Sequence, residues 1–253
     1  MVACGLPALD AATSRLCAAA YAQLSDPAQV DASTTLAAAE ALGKVGGASS
    51  AALSVLLAAS GGALLRAWLD PLSDGERQLQ SLPLRMHTCA VALEGQSAGV
   101  ALDGGAPAEI FFAAISGACA GTAAGVAAGV TATLSLAMAW INGERGGVGA
   151  AYRDAACHVL RAAARFGWGV RAMLSTAGFE EWLLTPTACA PLRSDAEWKY
   201  GVAQAIATLC GAERTFAAAV VGAERFDRIQ RRVFAGPFKE LAEADPHAIT
   251  MSR

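Results

Sequence analysis

At 253 residues, 55% of them hydrophobic and 16% charged, the chain has ample apolar material for one large core and is apolar enough for part of its surface to be covered in a homo-oligomer. Nineteen basic and 22 acidic residues give a net charge of -3, with no Lys/Arg stripe interleaved with aromatics, which argues against nucleic acid as a partner. Seven cysteines at long intervals, with no CxxC pair, read as reduced thiols, and the N-terminus shows no basic region ahead of a hydrophobic block; the expected compartment is the cytoplasm.

Ala-rich stretches with helical spacing dominate and period-two alternation is nearly absent, so the expected fold is all-α, a single helical domain over 1–253 with residues 1–30 and 246–253 as candidate loose ends. In chain order, helices are expected over about Leu9–Leu24, Ser33–Lys44, Ser49–Leu69 and Gly75–Glu94, the last with a break at Pro83. A glycine-rich helix and one over Gly149–Phe166 follow, and residues 194–235 form amphipathic C-terminal helices. Ser73 with Glu76 and Ser194 with Glu197 have capping-box spacing, and Gly46–Gly47, Gly104–Gly105 and Gly146–Gly147 are natural stops.

The stretch from Ile110 to Ile141 carries no charged side chain, and within it Gly117, Gly121, Gly125 and Gly129 recur every four residues on one helix face, where two backbones can approach closely. It is long enough to cross a bilayer. Its middle, however, is Ala, Gly, Ser, Thr and Cys, with the strongly apolar residues at the two ends and no flanking basic cluster to set an orientation. A buried helix, or two short ones, is the expected reading, with a glycine-zipper membrane segment as its alternative.

The inventory for chemistry is short: three histidines, His87, His158 and His247, and three lysines, Lys44, Lys199 and Lys239. No motif with metal-ligand spacing is present, so no metal site is expected. The Gly143–Gly149 stretch lacks the spacing and the Lys-Ser/Thr ending of a phosphate loop and reads as a helix connector. Asp70 and Asp74 flank a turn at Pro71, with Arg66 before it and Arg85 and His87 after. A cleft there could hold a carboxylate against arginine with His87 as proton carrier, or the segment could be a solvated loop. His158, beside Cys157 among Ala and Leu, reads as a core histidine. Lys199 and Tyr200 open an apolar helix, where a lysine gains nothing from the helix dipole.

Four blocks, read in order, resemble the MmgE/PrpD family of 2-methylcitrate dehydratases and cis-aconitate decarboxylases. They are Gly62–Asp70, His87–Gly117, the Ala-Gly-Thr-Ala-Ala-Gly helix from Ala120, and Glu197–Gly211 with Phe216 and Phe226–Val233. The resemblance implies a cofactor-independent lyase acting on a small di- or tricarboxylate, with His87, Asp70 and Lys199 catalytic and Arg153, Arg66 and Tyr200 binding substrate. It departs from the family in three places: the acidic run after Asp70 is interrupted by Pro71, Leu72 and Ser73, a second histidine has no counterpart, and Trp182–Ser194 is a short connector where the family inserts a lid domain. The second function class is a non-catalytic helical interaction protein, such as a pseudoenzyme partner of a full-length relative.

Overall fold

The computed structural model describes residues 6–25, 32–73, 82–100, 106–116, 123–143, 149–185 and 193–238. The fold is all-α: thirteen α-helices lie among these residues, and the only ladder contact among them is a parallel bridge between Gly99 and Phe166. Buried residues from every one of these helices belong to one hydrophobic cluster.

The first helix, α1 (Leu6–Ser25), buries Cys17, Ala20 and Leu24, which share a face at i, i+3 and i+7 and pack it against the helices that follow. Helix α2 (Ala32–Ala48) runs through Gly46 and Gly47, which therefore do not stop it. They serve close approach instead. A Cβ at Gly43 would lie 2.6 Å from the carbonyl oxygen of Thr88, one at Gly47 would lie 2.9 Å from that of Val91, and Gly95 abuts the carbonyl of Gly47. These contacts seat α2 against α5 (Leu82–Glu94), whose Met86, Cys89, Ala90, Ala92 and Leu93 are fully buried. Gln96 Nε2 donates to the carbonyl oxygen of Gly46 at 2.6 Å, satisfying an acceptor at the end of α2.

The helix expected over Ser49–Leu69 is interrupted. Ser49 caps α3 (Ser50–Ala58), accepting from the Ala52 N–H at 3.0 Å, and a 3-10 turn over Ala59–Gly62 follows, with Gly62 at φ +81°. A left-handed residue ends the helical register, and glycine reaches that conformation without a Cβ clash. Helix α4 (Ala63–Ser73) then passes through Pro71, so Asp70 lies on a helix rather than at a turn. Proline has no N–H for the carbonyl four residues back, that of Ala67. The buried Arg85 guanidinium supplies the missing donor, at 3.2 Å to Ala67 O and 3.1 Å to Trp68 O. Helix α5 is described from Leu82, which puts Pro83 in its first turn, where a missing N–H is harmless; residues 75–81 of the expected helix lie outside the described residues.

The glycine-rich stretch is two helices, α6 (Pro107–Ala114) and α7 (Ala123–Asn142); Gly117 and Gly121 lie outside the described residues. Gly129 does sit where backbones meet, since a Cβ there would lie 2.7 Å from Ala113 O, and Thr133 Oγ1 donates to Phe112 O at 2.8 Å. Helix α7 is long and apolar enough to cross a membrane. Its Val126, Val130, Leu134, Met138 and Trp140 face the core, and its exposed positions are Ala124, Ala127, Ala128, Thr131, Ser135 and Asn142.

Helix α8 (Ala150–Ala163) packs between α5, α7 and α11 (Arg193–Ala212). Between α8 and α11 stand two short helices that the sequence pattern did not suggest, α9 (Gly167–Ser175) and α10 (Phe179–Leu184). Arg193 already lies in α11, so Ser194 is in its first turn and is not the cap; Glu76 of the other capping box lies outside the described residues. The last described elements are α12 (Arg214–Phe216), a π-helical turn over Ala217–Val221 and the amphipathic α13 (Ala223–Ala235). Glu180 of α10 holds α13 through Arg225 and Arg228, each at 2.8 Å.

Candidate functional site: a histidine pair between α5 and α8

Residues His87 and Glu94 lie seven apart on α5, and His158, Arg161 and Arg165 lie at i, i+3 and i+7 from His158; these spacings bring each set to one helix face, and the two faces meet. His87 Nδ1 is 2.9 Å from His158 Nδ1. Two ring nitrogens at that distance bond only if one carries the proton and the other presents a lone pair. His158 Nε2 is 3.2 Å from Glu94 Oε1, poorly aligned for a hydrogen bond but close enough for the carboxylate to favour a proton on that nitrogen. In the neutral pair this leaves His158 Nδ1 as acceptor, His87 Nδ1–H as donor, and His87 Nε2 as a free lone pair.

The electrostatics suit that arrangement. Interaction with His158 first, and Arg161 at 2.6 Å as well, hold the Glu94 carboxyl down at about 2 against the upward push of burial. Burial lowers the pKa of His87, His158 adds to the lowering, and Asp154 opposes it. His87 is thus neutral at pH 7, as a base must be, with a carboxylate near enough to favour the imidazolium once it forms. Asp154 Oδ1 is itself buried and has no hydrogen-bond partner among the described residues. Trp198 of α11 closes the far side, with its ring 5.4 Å from that of His158 and 5.1 Å from the Arg161 guanidinium.

Of the residues given a site role in the sequence, His87 alone belongs to this pair. Arg153 lies on α8 and faces Asp195 of α11 at 3.6 Å. Lys199 donates to Thr185 O at 3.3 Å and sits 5.6 Å from the Trp182 ring; burial first, and Arg232 next, lower its pKa. Arg153, Asp195 and Lys199 gather around the buried Cys157, whose thiol is pushed up chiefly by burial. Among the described residues, no hydrogen bond or ion pair joins His87 to Lys199 or Arg153. Arg66 is exposed on α4 and Tyr200 is half-buried on α11, while the Asp70 side chain, Asp74 and His247 lie outside what is described. His158, taken from its apolar neighbours as a core histidine, is the partner of His87, and Glu94, Arg161 and Arg165 were missed with it. Their spacing relative to His158 was the available signal. Among the described residues, no three His, Cys, Asp or Glu side chains are grouped to hold a metal ion.

No family model matches the chain, and no curated protein or solved structure matches it.

Proposed function

We propose that the chain is an acid/base lyase of the MmgE/PrpD kind, abstracting a proton α to a carboxylate in a small di- or tricarboxylate. The observation that carries this reading is the chain Glu94, His158, His87. A carboxylate orients one imidazole, which accepts from the second, so that the outer nitrogen of His87 is left as the base. Asp154 stabilises the resulting imidazolium. Arg153 and Lys199 would clamp substrate carboxylates by exchanging their internal partners for them, and the base needs no cofactor for this step. The test is turnover of cis-aconitate and 2-methylcitrate, followed by ultraviolet absorbance, in wild type, His87→Ala and Lys199→Ala. Loss of a proton-transfer residue costs roughly 100-fold or more. Wild-type turnover unchanged in His87→Ala would remove the base from its role.

A second reading has its own support. Arg153 already faces Asp195 as its charge partner, Lys199 already donates to Thr185 O, and the sequence has only a short connector where a lid would exclude water, as suits a helical interaction protein that has lost the chemistry. A well-folded wild type that turns over neither substrate favours it. Either role fits a cytoplasmic, oligomeric protein. The small and polar outer face of α7 suits water better than lipid, and Phe234, 96% exposed, offers apolar surface for self-association. Recovery in the supernatant after high-speed centrifugation, with a mass above that of one chain by light scattering, is the expected result.

A further inference from the structure

A groove of about 460 Å³ lies between the end of α8, the middle of α11 and the segment Ala98–Val100. It is not the histidine site, because neither His87 nor His158 lines it. Its walls are largely apolar, made by Val100, Ala205, Leu209 and Ala212, and its polar groups are few: Arg161, Arg165, Gln204, Thr208 and Glu213. This volume and this sparse polarity are those of a small-molecule pocket.

The charges differ in how they are matched. Arg161 has Glu94 at 2.6 Å. Arg165 has no carboxylate partner among the described residues: its guanidinium donates to two backbone carbonyls, of Glu94 and, at 3.3 Å, of Gln96. Those bonds fix the planar fork in place while leaving others of its five N–H donors, and its whole positive charge, unmatched. A fork held by the backbone and facing an apolar groove is preorganised for one carboxylate. The other guanidinium of the groove, Arg161, is already paired with Glu94, so a second or third anionic group would sit among apolar walls beside Glu213 without a cation of its own.

We propose that this groove binds a small monocarboxylic acid with an aliphatic body, its carboxylate on Arg165 with Thr208 and Gln204 as neighbouring donors and its hydrocarbon against Val100, Ala205 and Leu209. The site is independent of the lyase reading, which needs His87.

The probes are hexanoate, hexan-1-ol, citrate and inorganic phosphate, titrated into the full chain by calorimetry. Hexanoate should bind saturably, and hexan-1-ol, with the same body and no charge, should bind at least about tenfold more weakly, the loss expected for a charge-assisted contact. Arg165→Gln should weaken hexanoate by a similar factor. Because that change also disturbs two carbonyl contacts, Ala205→Trp is the second variant: it fills the groove, leaves Arg165 in place and should abolish hexanoate binding. His87→Ala should bind hexanoate like wild type, so loss of turnover and loss of binding are separately visible. Absence of saturable hexanoate binding by folded wild type, equal binding of hexan-1-ol, tighter binding of citrate or phosphate, or full hexanoate binding by Ala205→Trp would each overturn the proposal.

Discussion

Replacing Gly43 by alanine adds one methyl group at a close approach in the α2–α5 seam. The new Cβ would lie 2.6 Å from the Thr88 carbonyl oxygen and 3.0 Å from Thr88 Cβ. Ordinary contact begins near 3.4 Å, so backbone must move against backbone by several tenths of an ångström, and α5 cannot yield freely because α4, α6 and α8 also pack against it. Overpacking of this kind costs about 1–3 kcal/mol, and the better helix propensity of alanine returns up to about 1 kcal/mol. The net expectation is a loss of about 0–2 kcal/mol. Gly211 is the control: it is helical and exposed, and a Cβ there meets nothing within 4 Å, so Gly211→Ala should gain a few tenths to about 1 kcal/mol from propensity alone. Paired urea melts read the difference. A Gly43→Ala protein as stable as Gly211→Ala would refute the close-approach account of the seam.

Gly129→Leu should destabilise α7 against α6 by about 1–3 kcal/mol in the same assay, because its Cβ meets Ala113 O at 2.7 Å. Arg85→Met leaves Ala67 O and Trp68 O without their donor and should cost about 2–3 kcal/mol, and in a Pro71→Ala background, where the N–H for Ala67 O returns, the cost should be smaller in a double-mutant cycle. Glu94 has a pKa below its unfolded value of 4.5, so its contribution is fully present above pH 4.5 and is lost as pH falls toward 2. Glu94→Gln should therefore cost about 1 kcal/mol at neutral pH, discounted because the Glu94 and Arg161 side chains are 31% and 39% exposed, and the two melts should converge in acid.

The helical class was legible in the sequence because it rests on composition summed over long windows, where Ala-rich periodicity outweighs local exceptions. Close packing was legible only by residue type. The four-residue glycine spacing of α7 identified Gly129, but Gly43 and Gly47, which make the tighter seam, were hidden because Gly46–Gly47 also carries the signal of a helix stop. Pro71 and Pro83 misled in the same way: the first is sustained inside a helix by an arginine 14 positions later, and the second falls in a first turn whose start depends on where α5 packs. His87 was found as one of few titratable residues. Its partner was not, since proximity between α5 and α8 is a tertiary fact, and an apolar neighbourhood in sequence describes the helix's other faces.

The coupling of the two histidines is tested most directly by nitrogen-detected NMR of the imidazoles across pH 4–8, in wild type and His158→Phe. The account predicts that wild-type His87 titrates below 6.5, and that His158→Phe moves the His87 midpoint up because the neighbouring ring that adds to the lowering is removed. A His87 midpoint at 6.5 that His158→Phe leaves unmoved would contradict it.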